Sequence, residues 1–215
     1  MKAYYKPEVF DVNNETEAKA IILTPEGSTT DDRWVKETPF LAQDINSFIA
    51  PTDTSLVLDF GCGIGRISRE LIAMSGCRVL GLDISQSMRA LSINYVDSDR
   101  FSPIGKELLE NLISKGLKVD ACVSIWVLQH CPDMLEQIEL IKSILKPGGH
   151  FYILNNVHSA IPTDQGWLSD GTDIQKVLES NFEVVEYSKL PEDVTMKQLS
   201  ELSFIAKLVM SDKLS

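Results

Sequence analysis

The run Leu56-Val57-Leu58-Asp59-Phe60-Gly61-Cys62-Gly63-Ile64-Gly65 constrains this chain more than any other stretch of it. A short apolar segment of β character ends in an acid, and glycine then stands at every second position. A tight turn without side chains, directly after a buried strand, lets a ligand press against bare backbone. The spacing restricts which ligand. Loops that cradle a dinucleotide pyrophosphate at a helix N-terminus carry glycines in the order G-x-G-x-x-G. Counted from Gly61 the third glycine of that pattern falls on Arg66, and counted from Gly63 it falls on Ser68. The loop here reads D-x-G-x-G-x-G.

Three further features follow in order. Val79-Leu80-Gly81-Leu82-Asp83 reads as a second buried strand ending in an acid, 24 residues after Asp59, with a helix expected between them over 66–75. An acid at that spacing can accept hydrogen bonds from both ribose hydroxyls of a nucleoside lying across the strand ends. Residues 119–125 read as another strand. Lys146-Pro147-Gly148-Gly149 then stops a helix and turns into the strand His150-Phe151-Tyr152-Ile153-Leu154. The glycine loop, the second acid and the Leu145–Gly149 turn together resemble the class I S-adenosylmethionine-dependent methyltransferases, with Val127-Leu128-Gln129-His130 as a weaker fourth match.

That resemblance implies an α/β, Rossmann-like fold, with a seven-stranded, mostly parallel sheet, an antiparallel C-terminal edge hairpin and helices on both faces. The implied cofactor is S-adenosylmethionine, leaving as S-adenosylhomocysteine. Gly61, Cys62, Gly63 and Gly65 would shape the loop under its methionine part. Asp59 would hold that loop or reach the ammonium, Asp83 would bind the ribose, and Ile84 would pack on the adenine. Ser124 ends the fourth strand beside the cofactor. His130 is the candidate catalytic base, able to take a proton from a hydroxyl or amine as the methyl group arrives. In many small-molecule members the N-terminal segment folds over the site, which would bring Arg33 to the methionine carboxylate with Trp34 beside it. Tyr4, Tyr5, His158 and Trp167 are candidates for a substrate pocket. The family often places an acid after the third strand, near the adenine amino group. Here Arg100-Phe101-Ser102-Pro103-Ile104-Gly105 has none, which leaves Ser102 or a backbone carbonyl for that contact.

Bulk properties narrow the partners. The 215 residues suit a single domain, divided here into an N-terminal lid segment, 1–37, and a cofactor-binding domain, 38–215. Lysine and arginine number 20 against 31 acids, a net charge of −11, with no basic stripe to follow phosphates. That counts against nucleic acid and favours a small-molecule methyl acceptor. The apolar runs are too short to span a bilayer, and Met1-Lys2-Ala3-Tyr4 does not open like a secretory signal. Cysteines at 62, 77, 122 and 131 show no metal-ligand spacing and read as reduced thiols of a cytoplasmic protein.

Along the chain, helices are expected at 15–23 and at 39–49, the latter with Thr38 as cap and Pro39 in its first turn. Strand–helix pairs follow at 56–60 with 66–75, 78–83 with 86–93, 100–104 with 105–115 and 119–125 with 133–145. Strand 150–155, helix 172–179 and strands 182–188 and 203–210 complete the pattern. The functional expectation is transfer of a methyl group from S-adenosylmethionine to an O, N, S or C atom of a small metabolite. Its rivals are a protein or nucleic-acid substrate, a catalytically silent cofactor-binding regulator, and a nicotinamide-dependent oxidoreductase, which Asp83 alone would permit. The methyl acceptor and the oligomeric state have no motif in the sequence.

Overall fold

The computed structural model describes residues 3–211. A 3-10 turn, Pro7–Phe10, precedes α1 (Glu15–Ile22) and α2 (Thr30–Ile49). Then come β1 (Leu56–Phe60), α3 (Arg66–Ser75), β2 (Arg78–Leu82), α4 (Gln86–Val96), β3 (Phe101–Ile104), α5 (Lys106–Ser114) and β4 (Val119–Ile125). A second 3-10 turn, Leu128–His130, leads to α6 (Met134–Ile144), β5 (Leu145–Asn156), and the short strands β6 (Ile161–Thr163) and β7 (Gly166–Leu168). The chain closes with α7 (Ile174–Asn181), β8 (Glu183–Ser188), α8 (Lys197–Leu202) and β9 (Ser203–Val209).

Seven strands form one sheet in the order β3-β2-β1-β4-β5-β9-β8. β1 pairs in parallel with both β2 and β4, and β9 runs antiparallel to both β5 and β8, so β9 alone opposes the common direction. The winding reverses between β1 and β4. Crevices for ligands open at such a switch, beyond the carboxyl ends of the strands.

Side chains of the central strands alternate between two cores, as the period-2 geometry of a strand requires. Leu58, Cys122, Phe151 and Ile153 pack with Leu109, Ile138, Ile141 and Leu178 from α5, α6 and α7. Val57, Ala121, Val123 and Leu154 face the other way, onto Leu41 and Ile45 of α2 and Leu71 of α3. A third cluster joins the N-terminal segment to the glycine loop through Val12, Ala18, Ile64 and Met88, with Ile22 and Trp34 against it.

Three expectations are corrected. The helix placed at 39–49 begins at Thr30, so α2 runs across the expected boundary at 37/38. Thr29 caps it, its hydroxyl accepting from Asp32 N at 3.0 Å, and Pro39 lies in the interior. A proline there removes one amide and crowds the carbonyl of Val35. Val35 is exposed, and the buried Arg33–Glu37 ion pair braces the turn beside it. Secondly, the two C-terminal strands are separated by α8. Thirdly, the stretch 155–171 contains the β6–β7 hairpin, which local sequence did not predict. Its strands have three residues each, too few for periodicity to register.

Candidate active site

The glycine loop hangs from the end of β2. The amides of Gly61 and Cys62 both donate to the Leu82 carbonyl, at 2.8 and 2.9 Å. The Asp83 carboxylate continues the stitch, Oδ2 accepting from Gly63 N at 2.8 Å and Oδ1 from Ser85 N at 2.9 Å. Asp59 lies beneath the loop and accepts from Ser68 Oγ at 2.6 Å. Gly61 and Gly63 have φ of +78° and +54°, a region that side-chain-bearing residues rarely adopt. A Cβ at Gly61 would stand 2.3 Å from Val127 and one at Gly63 would stand 2.7 Å from Ile22. Neighbouring protein side chains therefore press on the bare backbone, in addition to any ligand.

A cavity of about 800 Å³ opens over this loop at the carboxyl ends of the sheet. Of the residues singled out in the sequence, Asp59, Gly61, Cys62, Gly63, Asp83, Ile84, Arg33 and His130 line it. Ile84, two residues past the end of β2, is 61% exposed, an apolar side chain at the cavity. Gly65, Ser124 and Trp34 do not line the cavity, and the reasons differ. Gly65, at φ +86°, is the turn residue that starts α3, and Val96 occupies the space its Cβ would take. Ser124 lies on β4 and is fully buried. Trp34 packs edge-on against Tyr95, their centroids 6.1 Å apart, with Arg66 over its ring. Of the substrate-pocket candidates, Tyr5 and Trp167 line the cavity, while Tyr4 and His158 do not. Ser102 is exposed on β3 outside the lining, and Lys106, at the start of α5, lines the cavity where an acid was sought.

Burial acts on both carboxylates. Burial pushes Asp59 up to about 6, against the pull of Ser68 and of the Arg66 cation. Burial also raises Asp83, opposed by the Ser85 and Gly63 amides and by Arg89. His130 Nδ1 lies 2.7 Å from the Ala160 carbonyl, which can only accept, so Nδ1 carries the proton and Nε2 a lone pair. The Gln129 side-chain amide donates to Nε2 over a long 3.3 Å. Burial lowers the pKa of His130, which favours its neutral form.

Several lining residues had no local signal. Phe10 contacts the rings of His130 and Trp167, with centroids 5.7 and 6.3 Å away, and so closes the N-terminal segment over the site. Tyr5 forms a bridge to Thr163, and Lys6 N donates to the Pro162 carbonyl at 3.0 Å, tying that segment to the β6–β7 hairpin. Arg66, read only as the start of a helix, is buried against the cavity. Trp126 has φ +62°, strained for a bulky residue, and its indole nitrogen is buried without a partner. Among the described residues no cluster of ligating side chains suits a metal.

Residues 58–153 match the family model described as a methyltransferase domain. Over those residues the chain carries a methyltransferase domain, similar to the class I S-adenosylmethionine-dependent methyltransferases. It is 26% identical over 125 residues to the mitochondrial ubiquinone biosynthesis O-methyltransferase of Dictyostelium discoideum, a match covering 50% of this chain and 37% of that protein. It is 31% identical over 98 residues to the ubiquinone biosynthesis O-methyltransferase of Coxiella burnetii, covering 45% of this chain and 41% of that one. The matches thus span about two fifths of these relatives. In fold it is similar to the N-methyltransferase NodS of Bradyrhizobium japonicum in complex with S-adenosylhomocysteine, with a TM-score of 0.62, 16% identity, and coverage of 80% of this chain and 86% of that one.

Proposed function

We propose that this methyltransferase moves the methyl group of S-adenosylmethionine to a nucleophilic atom of a small metabolite. One observation carries the reading: a single cavity joins Asp59, the Gly61–Gly63 loop, Asp83 and Ile84 to His130. The groups fit the cofactor by their chemistry. Carboxylates suit the ribose hydroxyls and the ammonium, a guanidinium suits the carboxylate, and the apolar Ile84 suits the purine face. When bound, the cofactor supplies an electrophilic methyl group on a positive sulfur. The chain aligns and encloses the reactants, a contribution that can dominate such a displacement.

In this reading His130 Nε2 receives the proton that a hydroxyl or amine gives up on methylation, and the anchoring of Nδ1 on Ala160 supports it. Phe10, Trp167 and Tyr5 supply an apolar, aromatic wall for the acceptor. The relatives named for ubiquinone biosynthesis favour a small organic acceptor, and the net charge of −11 disfavours a polyanion. The four unpaired thiols suit a reducing compartment such as the cytoplasm. Among the described residues no helix is long and apolar enough to cross a membrane.

The test is formation of S-adenosylhomocysteine from S-adenosylmethionine across a panel of phenols, amines, thiols and carboxylates. Turnover with at least one class is expected. Tight cofactor binding with no turnover on any nucleophile would point to the silent regulator.

A further inference from the structure

At the His130 end of the cavity the fold fixes one lone pair and one N–H donor side by side. His130 Nδ1 donates to the Ala160 carbonyl, which leaves the lone pair on Nε2. Gln129 is 2% exposed and lines the same cavity. Its Oε1 accepts from Asn156 N at 3.2 Å, and because a backbone amide can only donate, this contact fixes which end of the side chain is nitrogen. The nitrogen therefore faces His130 Nε2, over 3.3 Å. The backbone of Gln129 is pinned as well, its N donating to Asn155 Oδ1 at 3.1 Å and its carbonyl accepting from Ala160 N at 2.7 Å. Among the described residues His130 is the one partner of the Gln129 side-chain nitrogen, so the second of its two N–H bonds is uncommitted.

A bond that long is readily exchanged for shorter ones with an incoming group. To match both residues and react, that group must donate to His130 Nε2, accept from Gln129, and keep a lone pair for the methyl carbon. A hydroxyl does all three, having one O–H bond and two lone pairs. A neutral amine has a single lone pair, so either Gln129 or the methyl carbon goes without it. A carboxylate brings no proton, and its oxygens would face the Nε2 lone pair. A thiol donates and accepts only weakly. Leaving a buried donor unmatched costs more than a matched one contributes, so the pair discriminates. The wall beside it is aromatic, with the Phe10 and Trp167 ring centroids 5.7 and 5.2 Å from that of His130. A phenol suits both features, being flat and apolar, with a proton about as acidic as that of tyrosine, pKa about 10, for an imidazole to take.

We infer that Gln129 makes this site select an oxygen nucleophile, and that the methyl acceptor is a phenolic hydroxyl held between Gln129 Nε2 and His130 Nε2. The inference rests on the reading above, in which His130 receives the acceptor's proton. The phenol oxygen bonds to the methyl carbon through one lone pair while the other accepts from Gln129. The carbon–sulfur bond breaks with its electron pair left on sulfur, and the phenolic proton passes to Nε2. The products are a methyl aryl ether, a neutral thioether and an imidazolium that returns its proton to solvent.

The experiment offers the full chain and S-adenosylmethionine a set of ring-matched phenols, anilines and thiophenols, and reads kcat/KM from S-adenosylhomocysteine formed. An aniline nitrogen is intrinsically the better nucleophile than a phenol oxygen, so alignment alone would favour the aniline. The wild type should instead prefer the phenol of a matched pair by about 100-fold or more, as a site built to hydrogen-bond a hydroxyl does. Gln129→Met and Gln129→Glu each remove the N–H donor and should cut that ratio by about 10-fold or more, with S-adenosylhomocysteine affinity held within about 2-fold by calorimetry. A merely structural Gln129 would lower both acceptors alike and leave the ratio unchanged, and that result overturns the inference. A wild-type preference under about 10-fold overturns it without recourse to any variant. So does turnover of no phenol by protein that binds S-adenosylhomocysteine, which leaves the cofactor reading standing. Failure to bind S-adenosylhomocysteine at all would remove the cofactor reading, and this inference with it.

Discussion

Asp59 and Asp83 lie under the same loop, and burial disfavours the ionised form of both. Asp59 is raised from 3.8 to about 6 by burial, so its ionisation is disfavoured in the folded, ligand-free protein. Its contribution to stability is therefore present below pH 4 and is lost as pH rises through about 6, a swing of about 3 kcal/mol. Denaturation of wild type and Asp59→Asn between pH 4.5 and 7.5 checks this, the stability difference growing in the variant's favour as pH rises. A difference independent of pH would contradict it. A cationic ligand reverses the preference by stabilising the ionised carboxylate. Affinity for S-adenosylhomocysteine should accordingly fall as pH drops through about 6, with a proton released on binding, measurable as a buffer-dependent calorimetric enthalpy. Asp83 is different because both of its oxygens already hold backbone amides. Asp83→Asn should lose about 1.5–3 kcal/mol of cofactor affinity and also loosen the loop, seen as a lower melting temperature. For His130, a proton-accepting role predicts that His130→Asn lowers kcat by about 100-fold or more on a hydroxyl or amine acceptor. A loss under about 10-fold would leave alignment as its whole contribution.

Among the elements, α2 departs most from what its residues prefer. Pro39 lies exposed in its interior, and continuity depends on tertiary anchors on either side. Arg33 and Glu37 pair before it. After it, Asp44 receives the Tyr152 hydroxyl and Lys207 Nζ, each at 2.8 Å, from β5 and β9. Pro39→Ala restores an amide to the helix, and chemical denaturation should show a gain of about 1–2 kcal/mol. A loss would mean that the local bend is needed to seat α2 on the sheet. The N-terminal segment behaves as a strap, joined to β6 by Tyr5 and Lys6 and to α4 by Val12 N on Ser87 Oγ at 2.9 Å. Its closing contact, Phe10 on His130 and Trp167, lies at the His130 end of the cavity.

At the scale of the whole molecule, the central sheet was legible because parallel strands buried on both faces read as largely apolar runs, with an acid at the end of β1 and of β2. β1, α3 and β4 fall on the residues that periodicity indicates, and the switch between β1 and β4 places the cavity where Asp59 and Asp83 predict it. What was not legible depends on contacts distant in sequence. Local rules start a helix at Pro39, and only tertiary anchoring carries α2 back through it to Thr30. Arg66 reads as an ordinary helix-start residue until α2 is seen to cover it. Phe10, in the short apolar run Val9-Phe10, acquires a role only when the β6–β7 hairpin brings Trp167 beside it. Gly65 and Ser124 share a motif and a strand end with lining residues, yet a turn and the sheet interior claim them.

The most direct test of the central claim is calorimetric titration of S-adenosylhomocysteine into the purified protein, alongside NADH. The account predicts one site with a Kd of about micromolar order for the first, and no heat from the second. Binding of NADH, or of neither ligand, would contradict it.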